Sequence, residues 1–350
     1  MKKKTHHHHH YSTGLPALDQ MIRKLLEQAG GSAIYDRLLE DIIITAVKLK
    51  SDEIDRGDVR LLTIALKELR YAFKIFHPYK HVRKIAIFGS ARIPPEDKAY
   101  KQAKDFAKKI VDKGWMVITG AASGIMSAGN EGAGRENSFG VNIKLPFEQA
   151  ANETILDDQK LIDFKYFFTR KLIFMSESDS TALFPGGFGT HDEGFETLTL
   201  VQTGKTTPRP IVCIDPPGSK YWSMWKRYLE TELAAKKLID REDMKLIFFT
   251  HNVDEAADFV ARFYRNYHSC RYVGDNFVMR LKHPISKLRL QKINRDFKDL
   301  LKKGSITQVT HPFPEEDDEP HTHDLTRLVF NFNRRHFSRL NTLIHAINQD

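Results

Sequence analysis

Phe184-Pro185-Gly186-Gly187-Phe188-Gly189-Thr190-His191-Asp192-Glu193 follows a short apolar strand, Thr181 to Phe184, and opens an amphipathic helix carried on by Phe195, Leu198 and Val201. Gly186, Gly187 and Gly189 at a strand-to-helix turn let the backbone come close to a ligand. The helix N-terminus beyond them offers unpaired amides and a partial positive charge, an anion site by construction. Thr190 adds a hydroxyl and Glu193 a carboxylate, so the turn reads as a nucleotide phosphate cradle with an acid beside it. A plainer reading stands next to it: Thr190-x-x-Glu193 is the spacing of a capping box, in which the two side chains satisfy each other's backbone amides. The density of glycines is more than a cap requires. Asp192, Glu193 and Glu196 would repel a phosphate, so the amides must face it while Glu193 points toward a sugar.

Working outward, the residues on both sides alternate between apolar strands and helical stretches. Strands are expected at Lys84–Phe88, Trp115–Thr119, Phe139–Leu145, Thr181–Phe184, Pro210–Ile214 and Leu246–Phe249. Helices are expected near 97–113, 124–135, 160–177, 191–203, 220–238 and 253–266. This alternation predicts an α/β fold, a Rossmann-like doubly wound parallel sheet covered on both faces. Ligands then bind beyond the carboxyl ends of the strands, at the topological switch point. Gly89-Ser90-Ala91, Gly120-Ala121-Ala122-Ser123-Gly124 and Pro185-Gly186-Gly187 all fall at such ends. Each alone could be a tight turn; three on one sheet edge suggest a shared crevice. Gly-Ser-Ala-Arg after the first strand is not the Gly-x-Gly-x-x-Gly of a dinucleotide dehydrogenase, and no acid closes the second strand for a ribose hydroxyl.

Four segments are expected. Residues 1–14 form a tail in which His6 to His10 are a purification tag or a native tract, with any metal binding there incidental. Residues 15–80 are helical, residues 81–270 form the nucleotide-binding domain, and residues 271–350 form a small α+β module in the order β-α-β-β-α, ferredoxin- or ACT-like by analogy. Within that module Glu315-Glu316-Asp317-Asp318-Glu319 reads as a solvated hairpin connection.

Composition bounds the function. The chain has 350 residues, 41% apolar and 28% charged, as in a soluble globular protein. No apolar stretch long enough for a membrane span is present, and the N-terminus lacks a signal-peptide core. Two cysteines, Cys213 and Cys270, suggest no disulfide framework and fit a reducing cytoplasm. The net charge of +9 favours anionic small molecules, while no basic-aromatic motif points to nucleic acid.

Residues 82 to 265 resemble the LONELY GUY family of nucleoside 5′-monophosphate phosphoribohydrolases, long mislabelled as lysine decarboxylases. The resemblance is carried by Ile85-Ala86-Ile87-Phe88-Gly89-Ser90-Ala91-Arg92, Val117-Ile118-Thr119-Gly120 with Gly124-Ile125-Met126, and Asn142-Ile143-Lys144-Leu145-Pro146. Phe167-Phe168-Thr169-Arg170-Lys171 and the Pro185 to Glu193 motif, continued by Leu198 to Lys205, complete it. It implies a Rossmann-like homodimer that cleaves the N-glycosidic bond of a nucleoside monophosphate, an AMP-like purine nucleotide, to free base and ribose 5-phosphate, with no cofactor and no metal. By motif position, Arg170 and Glu193 are the catalytic pair. Gly186, Gly187, Gly189 and Thr190 are the phosphate loop, with Gly89, Ser90, Gly120, Gly124 and Lys171 as further substrate contacts.

The residue types suit that chemistry. A carboxylate stabilises the oxocarbenium character that builds on ribose, or takes a proton from water. Arg170 stays protonated at physiological pH, so it orients phosphate or holds Glu193 rather than acting as an acid. Without the motif it reads as a surface helix arginine. The chain also departs from the family. Longer bacterial members read Thr-Gly-Gly-Gly-Pro-Gly-Ile-Met-Glu-Ala where this sequence has Thr119-Gly120-Ala121-Ala122-Ser123-Gly124-Ile125-Met126-Ser127-Ala128. His191 and Gly194 stand at positions that are usually leucine. A nucleotide sensor that binds without turnover is therefore the competing expectation. A pyridoxal-dependent decarboxylase is disfavoured because no lysine sits in a Schiff-base setting.

Overall fold

Short apolar runs bounded by turns become strands buried on both faces, as parallel sheets require. The computed structural model describes residues 11–144 and 150–349; His6 to His10, Leu145 and Pro146, singled out above, lie outside the described residues. Two compact units divide at Met1–Lys67 and Glu68–Asp350. The first contains α1 (Pro16–Ala29), α2 (Asp36–Ser51) and the start of α3 (Arg56–Phe76). Its α1 and α2 are joined by an ion pair from Arg23 Nε to Glu40 Oε1 at 2.8 Å. The division therefore falls inside α3, earlier than the boundary expected at residue 80. The helix's last turns belong to the second unit, where Phe76 stacks on Phe139 at 4.2 Å between ring centroids.

The second unit runs β1 (Lys84–Phe88), α4 (Lys98–Asp112), β2 (Met116–Thr119), α5 (Ile125–Ala133), β3 (Ser138–Ile143), β4 (Leu161–Phe164), α6 (Phe167–Glu177), β5 (Ser180–Leu183) and α7 (Phe188–Gln202). It continues with β6 (Ile211–Ile214), α8 (Tyr221–Tyr228), β7 (Ile247–Thr250) and α9 (Val253–Phe263). The first seven strands form one parallel sheet in the order β4-β3-β2-β1-β5-β6-β7. The chain leaves β1 toward one edge and returns beside it as β5, so the loops after these two strands flank the switch point. Gly89 to Arg92 and Pro185 to Glu193 are those loops.

β4 corrects the helix expected over 160–177. Ile162 and Phe164 are buried while Asp163 is exposed, a two-residue period too short to stand out beside the helix that follows at Phe167. Beyond Tyr228, the helix expected to reach 238 gives way to a π-helical turn over Leu229–Ala234. Cys213 is fully buried within β6, as its apolar strand implied.

The C-terminal segment adds β8 (Tyr267–Val273), β9 (Asn276–Leu281), α10 (Lys287–Asp296), β10 (Leu301–Val309), β11 (Thr326–Phe332) and α11 (Phe337–Ile347). Its antiparallel sheet has the order β10-β11-β9-β8. The strand β8, absent from the sequence reading, crosses the 270/271 boundary and makes the order β-β-α-β-β-α, two adjacent hairpins instead of a ferredoxin-like interleaving. Helix α10 ends at Asp296, and Leu301 to Lys303 enter β10. Phe277, Phe330 and Ile344 share one buried apolar cluster with Ile85, Phe106 and Val260. The segment therefore completes the core over one face of the parallel sheet.

Glu315, Asp317 and Asp318 of the acidic run are exposed, but Glu316 is turned inward. Glu316 is fully buried and takes Arg280 at 2.7 Å and Arg327 at 2.8 Å on its two carboxylate oxygens, with the Phe313 amide donating at 2.9 Å. These donors, set against its burial, hold the Glu316 carboxyl below its usual range. Its removal would leave two guanidinium groups, 1% and 0% exposed, without their shared counter-charge. Glu316→Gln is expected to destabilise by about 3–5 kcal/mol in urea unfolding; an unchanged midpoint would show that Glu319 alone compensates Arg280.

Candidate functional site

A cavity of about 720 Å³ opens at the switch point, lined by the loop after β1, Met126, Phe167, Arg170 and residues 186–193. That volume suits a nucleotide-sized ligand. Helix α7 begins at Phe188, three residues earlier than expected, with Gly187 as its N-cap and no side-chain cap. Thr190 is therefore inside the first turn, and the capping-box reading of Thr190 and Glu193 is excluded. Gly187, Phe188 and Gly189, where the helix starts, form one edge of the cavity.

The glycines divide by what surrounds them. A Cβ on Gly186 would collide with Thr190 Oγ1 and sit 2.9 Å from the Ser90 amide nitrogen; one on Gly89 would lie 2.6 Å from Ile125. Gly124 has φ +65°, and its added Cβ would run into the Ser90 carbonyl oxygen. At Gly120 the obstruction is the Arg170 guanidinium, so this glycine makes room for the arginine. Gly187 and Gly189, by contrast, have nothing within 4 Å of an added Cβ. Packing within the fold does not require glycine at those two positions.

Ser90 ties the three loops together. Its amide donates to the Pro185 carbonyl at 3.0 Å, its carbonyl accepts from the Ile125 amide at 3.0 Å, and its hydroxyl oxygen accepts from the Arg92 amide at 3.1 Å. The altered second loop is held as firmly. Ala121 adopts φ 63°, a left-handed conformation that costs a non-glycine residue roughly 1–2 kcal/mol. Asn152 compensates, donating from its backbone amide at 2.8 Å and from its side chain at 3.0 Å to the Ala121 carbonyl. Gly194 also has a local reason: a Cβ there would press on Leu183 at 3.0 Å, so glycine lets α7 lie close on β5.

Arg170 and Glu193 both line the cavity, as do Gly89, Ser90, Gly186, Gly187, Gly189 and Thr190. Arg170 is anchored through Nε to the Val141 carbonyl at 2.8 Å. Gly120, Gly124 and Lys171 are not part of the lining. Gly124 borders an adjoining cavity of about 420 Å³ shared with Arg92, Tyr100, Ser127 and Glu131. Lys171 sits behind the wall, 2.9 Å from Asp192, 3.7 Å from Glu193 and 2.6 Å from Glu196. That arrangement answers the repulsion expected from three carboxylates at a phosphate site, because one ammonium draws them together. Against burial, which lowers it, the hydrogen bonds to Glu196 and Asp192 raise the Lys171 pKa.

Glu193 is 7% exposed. Burial pushes its carboxyl up to about 7, outweighing the opposing pull of Lys171 and Arg170, and Glu196 and Asp192 push it further. A carboxyl that changes charge near neutrality, on a cavity wall, is suited to acid–base work.

Sequence reasoning missed the aromatic and histidine contributions to the site. Phe88, Phe167 and Phe188 line it, Phe188 being 96% exposed. His191 lines it too and hydrogen-bonds through Nε2 to Tyr221 Oη at 2.8 Å; Tyr221 in turn donates to the Gly186 carbonyl. Only the odd residue at position 191 signalled this, and its partner lies on another helix. Among the described residues no group of three or more His, Cys, Asp or Glu is placed to hold a metal, and no helix is long and apolar enough to cross a membrane.

A family model described as "Possible lysine decarboxylase" matches residues 119–260. The cytokinin riboside 5′-monophosphate phosphoribohydrolase of Mycobacterium tuberculosis is 28% identical over 138 residues, which cover 38% of this chain and 71% of that protein. Among solved structures, the chain is similar to the molybdenum cofactor carrier protein of Chlamydomonas reinhardtii, at 20% identity, 51% of this chain, 96% of that one and a TM-score of 0.35. It is similar to the molybdenum cofactor binding protein of Rippkaea orientalis at 18% identity, 51% of this chain, 94% of that one and a TM-score of 0.35. DNA processing protein A of Helicobacter pylori follows at 14% identity, 51% and 79% coverage and a TM-score of 0.35. The match to the family described as possible lysine decarboxylases spans the Pro185 to Glu193 motif, which lies on the switch-point cavity.

Proposed function

We propose that the chain is a nucleoside 5′-monophosphate phosphoribohydrolase that releases the free base and ribose 5-phosphate from an AMP-like purine nucleotide. The observation that carries this reading is the buried carboxyl of Glu193 on the wall of a cavity whose edge is the open Gly187–Gly189 backbone. The phosphate sits on the amides at the start of α7, where the helix dipole favours negative charge. The ribose then lies against Glu193. In the reaction the bond from C1′ to the base nitrogen breaks and a water oxygen bonds to C1′. Ionised Glu193 steadies the positive charge on the sugar and takes the water proton, while the departing base is protonated in turn. Arg170, held by the Val141 carbonyl, orients the phosphate and supplies positive charge beside Glu193.

Because the ionised carboxylate is the working form, turnover rises with pH through about 7, the value to which Glu193 is raised. The assay is incubation with a panel of nucleoside monophosphates and chromatographic separation of products. Base plus ribose 5-phosphate supports the hydrolase. Intact nucleotide with measurable binding favours the sensor, for which the strained Ala121 loop is the motive.

Phe188 buries almost none of its ring in the protein, which leaves the ring to stack on the ligand's base. Stacking of a base on an aromatic ring contributes about 1–3 kcal/mol. Phe188→Ala is therefore expected to weaken nucleotide binding by roughly 5- to 150-fold in calorimetry with the melting temperature unchanged. The homodimer belongs to the same reading, with the exposed Phe167, Phe168 and Leu172 on α6 as the apolar surface for a second copy. A monomer mass in light scattering would remove that part.

A further inference from the structure

We propose that His191 is a specificity-determining residue whose unprotonated Nδ1 accepts a hydrogen bond from an N–H or O–H donor of the bound nucleotide. The inference rests on the nucleotide reading above and on a hydrogen-bond count. Tyr221 has one phenolic proton, and it is spent on the Gly186 carbonyl. Tyr221 Oη can therefore meet His191 Nε2, 2.8 Å away, only as an acceptor, so Nε2 carries the proton. Burial lowers the imidazole pKa, so the ring is neutral at physiological pH and Nδ1 keeps its lone pair.

The rest of the ring is fixed by packing. It is inclined 29° to Tyr221 at 5.9 Å between centroids, and Trp222 and Trp225 pack against it at 5.9 and 5.8 Å. Among the described residues Nδ1 has no hydrogen-bond partner, and it is not a buried orphan. The same residue lines the cavity. An oriented acceptor with no protein partner at a ligand cavity selects ligands that bring a donor and disfavours those that bring a second lone pair. Through Tyr221 this preference is coupled to the Gly186 carbonyl, hence to the phosphate loop itself.

Two donors on a purine nucleotide have this chemistry: the exocyclic amine of the base and a ribose hydroxyl. The test compares AMP with IMP, which replaces the amine by a carbonyl, and AMP with 2′-deoxy-AMP, each on wild type, His191→Gln, His191→Asn and Tyr221→Phe. Glutamine keeps a donor near Nε2 for Tyr221 but has no acceptor near Nδ1; asparagine keeps an oxygen near Nδ1. One of the two ligand ratios is expected to favour AMP about five- to tenfold more in wild type than in His191→Gln, with part of the preference restored in His191→Asn. Which ratio moves tells amine from hydroxyl. Tyr221→Phe, which releases the tautomer, should lower the same ratio. Ratios are read as kcat/KM where base is released and as Kd where it is not, so a failed hydrolase reading leaves this test intact. A His191→Gln variant that keeps both wild-type ratios, or a ratio lost equally in His191→Asn, overturns the proposal.

Discussion

Glu193→Gln is expected to lose base release by roughly 10²–10⁴-fold and, at the same time, to make the protein more stable above pH 7. The two effects share one cause. Folding buries the carboxyl and raises its pKa from 4.5 to about 7, a shift equivalent to about 3 kcal/mol. For a carboxyl raised in the folded state, the associated stability is fully present below 4.5 and is lost as pH climbs through about 7. Glutamine stays neutral throughout. The melting temperatures of the two proteins should therefore coincide near pH 4.5 and separate as pH rises to 8, with the variant higher. A purely structural carboxylate, paired with Lys171 at 3.7 Å, would give the opposite sign. Melting scans across pH, run beside the product assay, decide between them, and a variant that is both active and less stable ends the catalytic assignment.

The second large effect separates glycines that serve the fold from glycines that serve a ligand. Gly187→Ala and Gly189→Ala add a methyl to open space, and neither residue has a positive φ. Both variants should fold as wild type, Gly189→Ala with about 1 kcal/mol gained from helix propensity. Both should lose at least about tenfold in nucleotide affinity, since the methyl occupies the approach to the first-turn amides. Gly124→Ala should do the reverse, losing about 1–2 kcal/mol to its left-handed backbone even before the collision with the Ser90 carbonyl. Calorimetry with AMP and thermal melts of all three separate the roles. Unaltered binding in Gly187→Ala would move the phosphate away from this helix.

The parallel sheet was legible because its strands are short apolar runs separated by amphipathic helices, a pattern written locally. The glycine loop was legible for the same reason. β4 and β8 were not. Leu161 to Phe164 presents only two buried residues on the sheet's edge, and Tyr267 to Val273 carries a mixture of buried and half-buried side chains that resembles neither period. Glu316 misled for a related reason: five acids in a row read as solvated until two arginines from strands 36 and 11 residues away enclose one of them.

By itself, then, the sequence determined the fold class, the glycine-rich turn that opens α7, and the presence of Arg170 and Glu193 near it, since each depends on spacing within a few residues of chain. The tertiary structure decided what those groups become. It buried Glu193, pushing its carboxyl up to about 7, and set Lys171 against three carboxylates. It also showed which glycines are free of the fold and oriented His191 through a tyrosine on α8. Burial, charge proximity and hydrogen-bond direction are properties of neighbours distant along the chain, and a one-dimensional pattern does not carry them.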